Sequence, residues 1–206
     1  MRQFPAEPAV TGMPRWAVLG PLGIALTAMA ALHVVQSELD PIAQPVSFYV
    51  WGRHGWLLPV ALGAFGVALL ALARARADAR TSRPIRILAL AGATLLLTAI
   101  IPADRWFPWE RPPTISGLIH AAAAMLAPVL LVWPMMAWAP SRDTRLHAAR
   151  PWLLGLFLGG LAGSAASLAL GFSRDGPPPW IGLSERILAF AAAGWVCGVA
   201  WRVKKK

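Results

Sequence analysis

Six apolar runs constrain this chain more than anything else in it. They fall at about 16–36, 55–73, 87–101, 118–139, 151–172 and 181–201, with short polar stretches between them. A helix needs about 20 predominantly apolar residues to cross a bilayer's hydrocarbon core. It also satisfies its own backbone hydrogen bonds, as lipid requires. The third run, "ILALAGATLLLTAII", is short and must borrow Ile85 and Arg86, whose stem can snorkel to the interface. The expectation is an all-α, polytopic transmembrane bundle with spans at 16–36, 55–73, 85–102, 115–139, 151–172 and 181–201. No soluble domain, linker or internal repeat interrupts the pattern, so residues 1–206 read as a single integral membrane domain.

Charge then gives direction. Only 14% of residues are charged, against about a quarter in soluble domains, and the net charge of +10 is unevenly placed. Arg2, Arg15, Arg74, Arg76, Arg80, Arg83, Arg86, Arg142, Arg145, Arg150, Arg202 and Lys204 to Lys206 are fourteen of the nineteen cations, and all fall on one side of the six crossings. The other side holds Arg53, Arg105, Arg111, Arg174 and Arg186 with six of the nine acids. The positive-inside rule therefore predicts an inner-membrane protein with cytoplasmic N- and C-termini. No basic patch is interleaved with aromatics, which sets nucleic acid aside. The single cysteine, Cys197, cannot form an internal disulfide and reads as a packing residue. Arg2 and Arg15, an apolar stretch and "AMA" at 28–30 imitate a cleavable signal, but the run continues through Val35, so a retained first helix is expected.

Helix five carries Gly155, Gly159, Gly163, Ser167 and Gly171 at four-residue spacing, and helix six offers Ala189, Ala193, Gly194 and Gly198. Such ridges let helices approach closely, here five on six, or alternatively a second copy of the chain. Pro21, Pro128 and Pro134 should kink their spans. "RPPT" and "RDGPPPW" should form fixed outer turns. Trp51, Trp56, Trp106, Trp109 and Trp180 fall at outer span ends and Trp138, Trp152 and Trp201 at inner ones, as interfacial belts do.

Polar residues gather at the outer ends. "LHVVQSELDP" supplies His33, Ser37, Glu38 and Asp40, with His33 and Ser37 on one helical face. "IPADRWFPWE" supplies Asp104 and Arg105, "PPTISGLIH" supplies Ser116 and His120, and "GLSERI" supplies Ser184, Glu185 and Arg186. Ionisable groups at membrane depth are costly and usually face a bundle interior or a wet cavity. The candidate ligand-binding set is therefore His33, Ser37, Glu38, Asp104, Arg105, Ser116, His120, Glu185 and Arg186, in an outward pocket. Simpler roles are open for several members. Ser184 with Glu185, and Thr114, can cap helices; Arg105 and Arg186 can pair with acids; His33 can bond a backbone carbonyl. His54 and His147 read as loop residues without a role.

"HVVQSELDP", "PVSFYVWGRHGWL", "IPADR", "TISGLIH" and "GLSERI" resemble, in order and spacing, the bacterial six-helix membrane proteins grouped as domain of unknown function 998. The resemblance implies a six-helix bundle and no particular activity. A looser likeness is to the membrane hydrolases related to alkaline ceramidases and adiponectin receptors, which set a serine, an aspartate and three histidines around zinc. It implies His33, Ser37, Asp104 and His120 as part of such a set, although that superfamily's paired-histidine motif is absent from every span.

Four functions are compatible with these residues. The first is a pocket for a lipid headgroup, another lipophilic molecule or a proton. The second is a metal-dependent lipid hydrolase with His33, Asp104 and His120 on zinc and an open fourth position for water. There Glu38 or Glu185 would act as base, and Ser37 would bond substrate. The third is a structural subunit of a homo-oligomer or larger membrane complex, and the last is haem held between His33 and His120.

Overall fold

The computed structural model describes residues 13–77, 82–138, 145–174, 176 and 180–201. Six helices follow in chain order: α1 (Trp16–Val35), α2 (Leu57–Ala75), α3 (Ser82–Ile100), α4 (Ile115–Ala137), α5 (Arg145–Arg174) and α6 (Ile181–Ala200). A short 3-10 helix, Val46–Trp51, lies in the connection before α2. Among the described residues there is no strand, and all six helices are long and apolar enough to cross a membrane.

Helix boundaries follow from local chemistry. Pro59 and Pro84 sit in the first turns of α2 and α3, where a missing N–H costs nothing. Thr114 caps α4, its hydroxyl accepting the Gly117 N–H at 3.0 Å. Pro21, Pro128, Pro134 and also Pro151 are carried inside helices. Two apolar-run boundaries change. α3 starts at Ser82, and α5 starts at Arg145, six residues before the run at 151, so His147 belongs to a helix rather than a loop. At 30 residues α5 is about 45 Å long, more than the hydrocarbon thickness. Thr94 and Thr98 hide their hydroxyls in α3 by bonding the carbonyls of Ala91 and Thr94.

Consecutive helices α1 to α4 pack side by side, α5 pairs with α6, and α6 closes back on α1, α2 and α4. α6 is the central element: half of its span is buried in the bundle, against 17% for α5. Trp195, Val196 and Val199 of α6 meet Leu22, Leu69, Leu72, Leu88, Leu131, Met135 and Phe157 in the main core. A smaller cluster of Leu32, Tyr49 and Leu58 forms under the first connection. α2 and α3 cross closely, as α5 and α6 do where a Cβ on Gly160 would come within 2.8 Å of the Ser184 carbonyl. A Cβ on Gly66 would come within 2.8 Å of the Gly92 carbonyl, and a Cβ on Gly92 within 2.9 Å of the Gly66 carbonyl. Small residues permit that approach, where packing rather than water drives association.

One end of the bundle is laced by cations on indoles. Arg15 lies 4.9 Å from the Trp201 ring, Arg76 5.6 Å from Trp138 and Arg83 5.6 Å from Trp133. Arg150 also donates to the Met136 carbonyl at 2.6 Å. The termini, the 78–81 and 139–144 connections and much of "RDGPPPW" lie outside the described residues.

Candidate polar site at one end of the bundle

At the opposite end, "LHVVQSELDP" turns out of α1 and is tied down at once. Gln36 is fully buried and donates both amide hydrogens, to the Tyr49 carbonyl at 2.9 Å and the Arg53 carbonyl at 2.7 Å. Gly52 allows this, since a Cβ there would overlap the Gln36 amide. Asp40 closes the next turn by accepting the Ile42 N–H at 2.8 Å. The rest of the connection lies on the start of α6. Leu183 donates its N–H to Ile42 at 3.0 Å, and Val46 donates to the Glu185 carboxylate at 2.6 Å. Gly182 lets the chains meet, because a Cβ there would run into the carbonyls of Gln44 and Pro41.

Arg186 joins α6 to α1. Its Nε donates to Nε2 of His33 at 2.8 Å, and its Nη1 donates to the carbonyls of Gln44 at 3.1 Å and Gly182 at 2.8 Å. The guanidinium lies 5.2 Å from the Tyr49 ring, and His33 packs on the same ring at 5.0 Å. A guanidinium can only donate. Nε2 of His33 must therefore carry a lone pair and Nδ1 the hydrogen, which it gives to the Met29 carbonyl at 2.7 Å. Among the described residues, buried Nη2 of Arg186 and Oε1 of Gln36 have no hydrogen-bond partner.

The second cluster belongs to the connection from α3 to α4. Asp104 accepts the Thr114 N–H at 2.9 Å and the Thr114 hydroxyl at 2.6 Å. Gly117 sits directly beneath, where a Cβ would strike the Asp104 carboxylate. His120 is buried and bonds the Ile101 carbonyl through Nδ1 at 2.6 Å. Arg105 extends over the indole of Trp51, 4.3 Å from the ring centroid. Trp51, Pro102, Asp104, Arg105, Thr114 and Ser116 line a cavity of about 190 Å³. The two connections are further stitched by Phe48 on Phe107 at 4.7 Å, Phe107 on Trp109 at 4.7 Å and Trp109 on Phe172 of α5 at 5.7 Å.

The sequence candidates thus divide into two groups. His33, Glu185 and Arg186 stand at the α1–α6 seam. Asp104, Arg105 and Ser116 line the cavity, with His120 beside them under Ile101. Ser37 and Glu38 are exposed beyond the end of α1. Ser184 does not cap α6: it lies in the first turn, and its hydroxyl bonds the carbonyls of Trp180 and Ile181. Arg105 lies over an indole, and Arg186 donates its hydrogen bonds to an imidazole and two carbonyls.

The zinc set His33, Asp104 and His120 does not fit this geometry. Neither nitrogen of His33 offers a free lone pair, and α1 packs on α2 and α6 while α4 packs on α3, α5 and α6. Among the described residues no three His, Cys, Asp or Glu side chains gather as metal donors. His33 and His120 take different partners, Arg186 with the Met29 carbonyl for the first and the Ile101 carbonyl for the second. On α5 the ridge is also divided. Gly160 and Gly163 meet α6 at Ser184 and Leu188, Gly171 lies under Trp109, and Gly155 and Gly159 face open space. Gly194 faces Leu153, Gly198 is buried within α6, and Ser167 is fully buried.

Residues that pattern alone left unmarked are Gln36 and Gly182, while Trp51 was read only as a belt residue and Thr114 only as a helix cap, which it is. The signal for Gln36 was available: an amide in an apolar stretch one position past a helix end, with glycines at 52 and 55 in the following connection.

Six apolar crossings with polar connections make this a multi-pass helical membrane protein. The chain belongs to the family described as protein of unknown function (DUF998), whose pattern matches residues 18–202. No curated protein and no solved structure is similar to it.

Proposed function

We propose that this is an inner-membrane protein with both termini in the cytoplasm, and that its outward end binds a membrane lipid by the headgroup. One observation carries the reading: a cavity of about 190 Å³ lined by a tryptophan, an aspartate, an arginine, a threonine and a serine. That volume is about six times the share of one water in the liquid, enough for a small polar headgroup. Tryptophans 51 and 106 bound it, and aromatic rings of this kind favour the membrane interface. The cation-rich opposite end, with Arg15, Arg76, Arg83 and Arg150, supports the inward assignment of that end.

The experiment is lipid analysis of detergent-purified protein, wild type against Trp51→Ala with Arg105→Ala. Both positions are exposed, so the fold tolerates the changes. The wild type should retain a fixed molar amount of lipid through washing, and the double variant should lose it. Equal retention by the two proteins refutes this reading.

A further inference from the structure

The chemistry of the cavity goes further than its existence, and the choice of headgroup rests on the lipid-binding reading. Asp104 and Arg105 are adjacent, carry opposite charges and both line the cavity. Neither is neutralised by the other's kind among the described residues. Asp104 receives hydrogen bonds only from Thr114, and Arg105 touches the Trp51 ring.

Proton accounting divides the cavity into two halves. A carboxylate only accepts, so the Thr114 hydroxyl must donate to Asp104 Oδ1. Thr114 Oγ1 then takes the Gly117 N–H and, at 3.0 Å, the hydroxyl hydrogen of Ser116. The Ser116 oxygen is left with lone pairs beside a carboxylate that has used about half of its four acceptor positions. One side of the cavity is thus an acceptor surface, made by Asp104 and Ser116. The other side is a donor: the Arg105 guanidinium lies over Trp51, 4.3 Å from the ring centroid, and among the described residues its N–H groups have no acceptor, which leaves them for an anion. That fork matches phosphate oxygens two at a time.

We infer that the cavity recognises a phosphoethanolamine zwitterion, with phosphate on Arg105 and the primary ammonium on Asp104 and Ser116. A trimethylated ammonium has no N–H to donate to those acceptors. It would favour an aromatic face instead, but both indoles that line the cavity already carry a guanidinium, Arg105 over Trp51 at 4.3 Å and Arg111 over Trp106 at 5.5 Å. A glycerol headgroup carries the phosphate but leaves Asp104 without a cation.

The test is a native mass spectrometry titration of delipidated wild-type protein with diacyl lipids differing only in headgroup: phosphoethanolamine, its N-methylated series and phosphoglycerol. Varying the ligand avoids any effect of substitution on folding. Saturable binding of the ethanolamine lipid is expected, with affinity falling about ten-fold or more on full methylation, since a charge-assisted hydrogen bond is lost. Soluble glycerophosphoethanolamine should compete, and Asp104→Asn should narrow the difference between ethanolamine and choline lipids. If all headgroups bind within about two-fold of one another while Trp51→Ala still weakens them, the ammonium is not read and this inference fails with lipid binding intact. Failure of the soluble headgroup to compete also overturns it, because acyl chains would then carry the affinity. If no lipid saturates, lipid binding itself fails.

Discussion

Gln36 gives the sharpest test of how the site is held. It is fully buried, and both amide hydrogens go to carbonyls of the first connection, Tyr49 at 2.9 Å and Arg53 at 2.7 Å. Those carbonyls fix the segment that carries Trp51 to Arg105. In Gln36→Leu both bonds are lost at similar volume. Tyr49 keeps a second donor, the Gly52 N–H at 3.3 Å, so the Arg53 carbonyl bears most of the penalty. Two net hydrogen bonds at about 1 kcal/mol each, plus part of one desolvated carbonyl, give roughly 2–3 kcal/mol. For a chain of this size that is roughly 5–10 °C in Tm. Gln36→Glu is the discriminating change, since it keeps the shape but sets carboxylate oxygens against two carbonyls. It should cost at least as much as Gln36→Leu. Thermal unfolding in detergent, followed by size exclusion, measures both. A Gln36→Glu protein as stable as wild type would refute the donor assignment and the clamp with it.

Four further outcomes are expected. Gly92→Leu should destabilise by about 1–3 kcal/mol or prevent folding, because its Cβ meets the Gly66 carbonyl at 2.9 Å. Gly155→Ala, with open space around it, should be silent in the same unfolding assay. His33→Ala and Arg186→Lys should be strongly non-additive in a double-mutant cycle, with about 1–3 kcal/mol of coupling, since each removes the same hydrogen bond. Additive losses would show that the pair does not act as a unit. In a Cys197→Ser background, an impermeant thiol reagent applied to intact cells should label His54→Cys and spare Ala77→Cys. The reverse pattern would invert the proposed topology.

The spans were legible because length and hydropathy decide them, and lipid imposes both. Their ends were less so. α5 begins at Arg145 because helix continues through polar residues that look like a connection, and Pro151 does not stop it. The site was half legible. Depth can be counted along a sequence, so His33, Asp104, His120 and Arg186 were correctly set at one end of the bundle. Position around the bundle cannot be counted. That is why His33 meets Arg186 across α1 and α6, while Asp104 meets Thr114 at the start of α4. The glycine ridge, which does put α5 on α6, was legible only in part for the same reason. Four-residue spacing defines a stripe but not the face a neighbour takes, and α6 uses Gly160 and Gly163 while Gly155 and Gly159 face outward. Arg105 pairing with an indole reflects chemistry the sequence did contain, but Trp51 lies 54 positions away.

The proposed lipid headgroup in the Trp51–Arg105 cavity can be looked for directly. A cryo-electron microscopy map of the protein in phosphatidylethanolamine nanodiscs, with an antibody fragment for size, tests it directly. Density for a phosphate is expected within hydrogen-bonding reach of the Arg105 guanidinium, continuing toward Asp104 and Ser116. A cavity filled by water alone, with headgroups elsewhere on the surface, would contradict it.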